Sequence, residues 1–600
     1  MSGIVGIVNL DGRPVDRELL SRMTESMAFR GPDGQSIWID GNVGFGHAML
    51  ITNALAKTEQ RPLTIDGKVF ITADARIDGH GGTLTDSESI LKAYQQWGED
   101  CVKHLLGDFA FAIWDSISRR IFCARDHFGV KPFFFSRVAN SFIFSNTLNT
   151  LRLDARVSDA LNENAIGDYL LFGINQDLST TTFRDIQRLP GAHSLTVSNG
   201  STKTRRYWTP AIPARVTFRS PEAYVERFSE LLSKAVQDRL RTTSVAILMS
   251  GGLDSTTVAA VCRDLLPADC VLKACTVVYD NLIRDNERHY SNAAACHLDI
   301  PIRHINADQY LLFDERMPGD MDQPEPFLLS PLSAQFYDLL RLCANTGRVA
   351  LTGWDGDAFI NEPANSYFSA SAKSLRLKEL FTGMGRYVWT QRSLPPIGFR
   401  TQVKRMTARQ KVNDFFPKWI DESFEKRLGL RERYNDVYFN SGPKDKTTES
   451  RPSAFRLLNS KMWAAIFEGY DSGSTKLHLE VRHPFIDVRL VEYLLAIPSV
   501  PWCVNKHILR VAMKKSLPAT VLNRPKTPLS VDPVLQTVKR SSVEWLDSFE
   551  VNPLLEGFVD LKHRRPVMDE VTAHDLWSSL RVFALNYWLT NSRVSRATFR

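Results

Sequence analysis

Val245-Ala-Ile-Leu-Met-Ser250-Gly251-Gly252-Leu253-Asp254-Ser255-Thr256-Thr257 is the stretch whose reading decides the architecture. A short apolar run suited to a buried parallel strand breaks into Ser-Gly-Gly and enters a helix with apolar positions at Val258, Ala259, Cys262 and Leu265. Lacking side chains, Gly251 and Gly252 let backbone N–H groups approach an anion, and the helix start adds partial positive charge. A polyphosphate bound there puts its charge beside Asp254, so a Mg2+ ion is implied. The pattern lacks the Gly-Lys-Ser/Thr end of a Walker loop and is not Gly-x-Gly-x-x-Gly. The plain alternative is a tight strand-to-helix turn with no ligand.

The stretch resembles the Ser-Gly-Gly-x-Asp-Ser pyrophosphate loop of the ATP pyrophosphatases, which split ATP into AMP and pyrophosphate. Around it, strand-like runs at Cys270–Tyr279, Pro301–Ile305 and Arg348–Thr352 alternate with helical patterns. That alternation predicts an α/β doubly wound parallel sheet with ligands beyond the strand C-termini. A helix is expected from Pro221, with Ser220 as its N-cap and Tyr224, Phe228, Leu231, Leu232, Ala235 and Val236 on one face.

At 600 residues the chain exceeds what one core supports, so at least two domains are expected. The start of the chain carries no basic segment of the secretory kind, and no apolar stretch reaches bilayer length. Eight cysteines without a Cys-x-x-Cys pair, several within apolar runs, predict buried thiols in a reducing cytoplasm and no structural zinc. The net charge of +7 is modest for this length, and no binding module for nucleic acid is recognisable.

Residues 1–208 form a candidate first domain of short strands, with Thr202–Ser220 expected as the crossover to a second domain over 218–600. Arg30-Gly-Pro-Asp33, Gly107-Asp-Phe-Ala-Phe-Ala-Ile-Trp-Asp115 and Ala124-Arg-Asp-His-Phe-Gly-Val-Lys-Pro-Phe-Phe134 occur in order. Together they resemble the class II glutamine amidotransferase domain of asparagine synthetase-type enzymes, an α+β N-terminal-nucleophile fold of two stacked sheets between helices. Such a glutaminase uses an N-terminal Cys whose own amine is its base. Here Ser2 stands at that position, Met49 replaces the Arg that clamps the glutamine carboxylate, and Ala73-Asp74-Ala75-Arg76-Ile77-Asp78 replaces the oxyanion-donor segment. The resemblance therefore implies a domain that makes no ammonia.

Within the second domain the resemblance is to an adenine nucleotide α-hydrolase-like ATP pyrophosphatase with a helical C-terminal region. It implies ATP contacts at Leu248, Ser250, Gly251, Gly252, Asp254, Ser255, Val277, Thr352 and Gly353. Asp254 and Asp357 would share Mg2+. Asp285-Asn-Glu287-Arg-His-Tyr290 resembles a segment beside the nucleotide, and Thr352-Gly353-Trp354-Asp355-Gly356-Asp357 matches the Ser-Gly-Glu-Gly-x-Asp of asparagine synthetases. Trp354 departs from the family's catalytic Glu or Tyr. An indole takes no proton, so Trp354 reads either as a surface on which substrate or ATP packs or as a core tryptophan. Glu468 falls near the family's catalytic Glu, with Glu480 as the other candidate general base. Lys526, in Arg-Pro-Lys, matches a lysine that steadies developing negative charge, worth several kcal/mol of barrier, about a hundredfold or more. His483 reads as a turn or core histidine.

Leu479-Glu-Val-Arg-His-Pro-Phe-Ile-Asp487, Pro501-Trp-Cys-Val-Asn-Lys506 and Asn523-Arg-Pro-Lys-Thr-Pro-Leu529, with the residual first domain, look like lasso peptide cyclases. That resemblance implies adenylation of an Asp or Glu side chain in a linear core peptide and closure by the peptide's own N-terminal amine. A leader-binding protein and a leader peptidase are implied as partners. Residues 373–445 are the candidate substrate-binding insertion. Between 373 and 411 they carry Lys373, Arg376, Lys378, Arg386, Arg392, Arg400, Lys404, Arg405, Arg409 and Lys411, interleaved with Phe381, Tyr387, Trp389 and Phe399. A solvated charged face is the plain reading of that run. Three other functions stay open: an ammonia-dependent asparagine synthetase, a β-lactam-type synthetase, and a non-catalytic peptide-binding scaffold.

Overall fold

The computed structural model describes residues 1–592 except 54, 56–61, 80–83, 199, 211–213, 315–322, 328, 374–375, 396–415, 441–450, 526–530, 541–542 and 570–571. The first domain is a pair of six-stranded sheets whose paired strands all run antiparallel. The segments Gly3–Asn9, Val43–Ala48 and Ser141–Ser145 are central to one sheet; Gly107–Asp115 and Arg120–Arg125 are central to the other. Ile4, Phe45, Phe142 and Phe144 from the first meet Ala110, Ala112, Cys123 and Leu195 from the second in a closed apolar layer. The outer face of the second sheet is covered by the helix Asp86–Trp97, started by a Thr85/Glu88 capping box. The stacked-sheet expectation holds.

The expected crossover begins later than its sequence suggests. Ser201–Arg206 pairs with His193–Ser198 as an edge strand. Its Ser-Thr-Lys-Thr-Arg-Arg sequence is almost wholly exposed, so no apolar alternation announces it.

The second domain is built on five parallel strands: β1 (Ser244–Leu248), β2 (Val271–Val278), β3 (Ile302–Asn306), β4 (Val349–Thr352) and β5 (Glu480–Arg482), in the order β3-β2-β1-β4-β5. Helices α1 (Pro221–Leu240) and α2 (Leu253–Leu265) bury Phe228, Leu232, Val236, Val258 and Cys262 against β1. Ser220 caps α1 by accepting from the Ala223 N–H at 3.3 Å. Strand β5 is the one sequence reading missed, because three residues show no period. Its residues Glu480 and Arg482 are buried and ion-paired to each other at 2.8 Å.

The remaining named helices are α3 (Glu287–His297), α4 (Ala364–Lys373), α5 (Leu377–Gln391), α6 (Met462–Tyr470) and α7 (Ala573–Asn591). In α7, Val582, Leu585, Trp588 and Leu589 share a core with Ile166, Tyr169 and Leu170 of the first domain. The C-terminal helical region thus clamps the first domain onto the second. Trp577, Leu580, Phe583 and Trp588 pack inward, whereas Tyr587 is exposed.

Buried charges stitch the same interface. Arg30 is ion-paired with Asp471, Lys131 lies between Asp74 (3.2 Å) and Glu480 (3.5 Å), and Arg239 bonds Asp487 (3.0 Å) while lying 3.9 Å from Asp108. Each cation has its carboxylate, the condition under which charge survives away from water.

Candidate active site

Strand β1 ends at Leu248, and the chain turns through Ser250-Gly-Gly into α2, placing the loop at the strand C-termini as the parallel-sheet rule requires. The loop is braced by its own hydroxyls. Ser250 Oγ lies 3.0 Å from Ser255 Oγ, the Gly252 N–H donates to Ser250 Oγ at 3.2 Å, and Ser255 Oγ donates to the Ser250 carbonyl at 3.1 Å. Residues 353–357, after β4, close over the start of α2. A Cβ on Gly353 would stand 2.5 Å from the Ser255 nitrogen, so only glycine permits this approach. Leu248, Val277, Thr352 and Gly353 lie at the ends of β1, β2 and β4 or directly after them, which puts the expected nucleotide-contacting positions on one sheet edge.

Asp254, in the first turn of α2, and Asp357, after β4, converge on one ammonium. Lys506 Nζ bonds Asp254 Oδ2 and lies 2.9 Å from Asp357 Oδ1. Burial works against this charge, but the two carboxylates outweigh it and raise the Lys506 pKa. Two carboxylates reached by a single cation are the donor set a Mg2+ ion needs, completed by phosphate oxygens and water. Among the described residues no group of three or more His, Cys, Asp or Glu is placed to hold a metal ion. Lys506 was not singled out from the sequence. Its signal was its place in the Pro501–Lys506 motif, but only the fold shows which carboxylates it reaches.

Trp354 is 56% exposed, so the core reading fails and the indole is free to face a ligand. It meets the edge of Trp463 at 6.4 Å, and Trp463 stacks on Phe359 and Phe467. Next to it, Asp355 is buried and bonded to His483 Nδ1 at 2.8 Å. His483 is itself buried and edge-on to Phe467 at 4.9 Å, which makes it a core histidine.

Glu468 faces elsewhere. On α6 it follows Trp463 by five residues, about 140° around the helix. Its carboxylate bonds Arg188 through both oxygens at 2.8 and 2.9 Å and lies 3.5 Å from Arg125. Arg188 also pairs with Glu325. The structure therefore brings Glu468 to the first domain and not to the Asp254–Asp357 pair. Glu480 is also committed: burial opposes its charge, but Arg482 and Lys131 outweigh it and hold its carboxyl well below the usual range. Lys526 lies outside the described residues.

The first domain's substituted positions are held in hydrogen bonds and ion pairs. Ser2 is buried; its N–H donates to Asp74 Oδ1 at 3.1 Å and its Oγ accepts from the Leu50 N–H at 3.2 Å. Lys131 Nζ takes the same Asp74 oxygen, and Arg76 is paired with Asp78 and Asp108.

Residues 1–208 match the glutamine amidotransferase domain family, and residues 227–590 match the asparagine synthase family. The chain is 26% identical over 584 residues to the glutamine-hydrolyzing asparagine synthetase 3 of Bacillus subtilis, covering 88% of this chain and 86% of that protein. It is 26% identical over 575 residues to asparagine synthetase 2 of the same organism, covering 88% and 71%. A putative asparagine synthetase of Mycobacterium tuberculosis is 24% identical over 564 residues, covering 84% and 83%. The family uses ATP. With a pyrophosphate-type loop at the strand ends and paired carboxylates above it, the chain belongs to the asparagine synthase family of ATP-dependent amide-forming ligases.

Proposed function

We propose that this chain is a peptide macrolactam synthetase of the lasso cyclase kind. It adenylates an Asp or Glu side chain of a linear core peptide and joins it to the peptide's N-terminal amine, releasing AMP and pyrophosphate. The observation that carries the reading lies in the first domain, where Ser2, Met49 and residues 73–78, with Asp74 paired to Lys131, stand at the positions the family resemblance gives to nucleophile, carboxylate clamp and oxyanion donor. A ligase whose partner domain supplies no ammonia takes its amine from outside or from the substrate itself, and a peptide substrate brings its own N-terminal amine.

Asp254 and Asp357 would hold Mg2+, which neutralises the departing pyrophosphate when bound. The loop N–H groups orient the phosphates, and Lys526 would steady charge at the reacting carboxyl. The exposed Trp354 offers a flat apolar wall to the activated side chain.

A peptide also gives a partner to the surface of α5. Leu377, Phe381, Val388 and Trp389 are exposed along it, with Lys378, Arg386 and Arg392 beside them, while Leu380, Met384 and Tyr387 pack inward on the Tyr367–Phe368 layer. We assign this face to the acidic and apolar part of the same peptide, on charge complementarity. A leader-binding protein and a leader peptidase complete the system. Eight free thiols agree with a cytoplasmic setting, and among the described residues no helix is long and apolar enough to cross a membrane.

The test is incubation with ATP, Mg2+ and authentic acidic core peptides. Peptide product lighter by one water, with stoichiometric AMP, supports the reading. AMP formation from aspartate and ammonium alone would instead establish an asparagine synthetase-type reaction, and closure of a small β-amino acid a β-lactam-type one. Failure to bind ATP at all would leave a non-catalytic scaffold.

A further inference from the structure

The nucleotide loop carries an anion of the protein's own. The Gly251 N–H, the first of the two glycine donors, points at Glu287 Oε2 at 2.7 Å. Glu287 opens α3, and its other oxygen accepts from Arg524 Nη2 at 2.6 Å. Arg524 lies over the Tyr290 ring, 4.4 Å from its centroid. One carboxylate therefore uses two donors that suit a phosphate oxygen: a loop N–H beside a helix N-terminus and a guanidinium.

Two further observations tie Arg524 to the loop. A Cβ on Gly251 would stand 2.8 Å from Arg524 Nη1, so the guanidinium rests directly on the glycine backbone. Arg524 Nη1 is itself buried and has no hydrogen-bond partner among the described residues. A buried guanidinium nitrogen without an acceptor is costly, and it is removed once an acceptor with several oxygens arrives. The planar fork is thus half used by Glu287, which offers it only one oxygen, and shaped for bidentate contact with phosphate. Glu287 retains 19% side-chain exposure, so its carboxylate has a route away from the loop.

We infer that Arg524 is a polyphosphate-binding residue of this ligase and that Glu287 is the carboxylate the incoming nucleotide displaces. In the nucleotide-free protein Glu287 satisfies the Gly251 N–H and neutralises Arg524. When the triphosphate enters, its oxygens take the N–H and both guanidinium nitrogens, and Glu287 swings out. Lys506 plays the complementary part at the same mouth, spanning the two carboxylates that a metal ion would neutralise. The inference rests on the family's use of ATP and is independent of which amine closes the amide.

The experiment is calorimetric titration of the full chain with inorganic pyrophosphate in the presence of Mg2+, with no peptide. Arg524→Met is expected to weaken binding at least tenfold, and Arg524→Lys, which keeps charge without the fork, by an intermediate factor. Glu287→Ala is expected to tighten binding about three- to tenfold, because the competitor is gone. Glu287→Gln, retaining shape, serves where the alanine variant unfolds, and is expected to change affinity in the same direction. Unchanged affinity in Arg524→Met overturns the assignment of Arg524. Weakening in both Glu287 variants overturns the displacement, since Glu287 would then be a support for the loop. Absence of pyrophosphate binding in the unaltered chain would sink the nucleotide site itself, an outcome separate from either.

Discussion

Lys506 Nζ spans Asp254 and Asp357, bonding the first and lying 2.9 Å from the second, so a single lysine from the C-terminal segment holds together two carboxylates contributed by different strand ends. Replacing it with methionine removes the one ammonium that both acids share and leaves Asp254 with the pull of the Arg510 guanidinium. Breaking a fully buried pair costs about 3–5 kcal/mol; with Asp357 partly exposed, about 2 kcal/mol is expected here. Lys506→Met is therefore expected to lower the thermal midpoint in EDTA, and Mg2+ to restore it more than in the unaltered protein. Equal Mg2+ effects in the two proteins would show that the metal does not take the lysine's place.

Glu468 and Arg188 share two hydrogen bonds across the domain interface, with Glu325 on the same guanidinium. Arg188→Met leaves two partly buried carboxylates, with Glu468 still 3.5 Å from Arg125, and is expected to destabilise by about 2–3 kcal/mol in denaturant titration. Glu468→Gln keeps hydrogen-bonding capacity and is expected to cost about 1–2 kcal/mol while AMP release stays within about threefold. A hundredfold loss of AMP release at unchanged stability would return the catalytic role to Glu468.

His127 is buried among Phe109, Tyr207 and Trp208, and burial holds its pKa down to about 4 against the weaker pull of Asp108 and Asp487. The folded state binds the proton less well than the unfolded chain, whose histidine titrates near pH 6.5. This residue's contribution is thus complete above pH 6.5 and lost as pH falls toward 4. Between pH 7 and 5 the loss amounts to about 2 kcal/mol. His127→Gln is expected to remove that part of the slope, measured as unfolding free energy at both pH values. An unchanged slope would mean the imidazole charges in place.

Trp389 is 86% exposed and Phe381 67%, so truncating either is expected to change stability by no more than about 0.5 kcal/mol. If α5 holds the peptide, Trp389→Ser raises the peptide KM by up to about thirtyfold, roughly 2 kcal/mol, with kcat preserved. Unaltered KM in a Trp389→Ser/Phe381→Ser double variant would remove this face from substrate recognition.

Much of the architecture was legible because it rests on local rules. The β1–α2 transition combines an apolar strand run, two glycines and a periodic helix face, and each survives translation into coordinates. Ser220 and Pro221 announced α1 through cap chemistry that depends on neighbouring residues only. The edge strand Ser201–Arg206 and the three-residue β5 escaped because strands that short or that polar carry no period. Glu468 illustrates the other failure. Its position beside a family motif marked it, but its partner Arg188 lies 280 residues away, and nothing local says which face of α6 meets which domain.

Residue types at fixed spacing established that the chain ends a strand in a phosphate-sized loop, and that the first domain carries Ser2 and Met49 where the family resemblance expects a cysteine and an arginine. These are statements about residue types at fixed spacing, and spacing is written in the chain. Tertiary structure alone decided which charges neutralise which. Lys506 reaches Asp254 and Asp357, Glu287 caps Gly251 and holds Arg524, and Glu468 turns to Arg188, each pairing joining segments far apart in sequence. Buried charge must find a counter-charge wherever the packed fold brings one, and that position is a property of packing that no local pattern encodes.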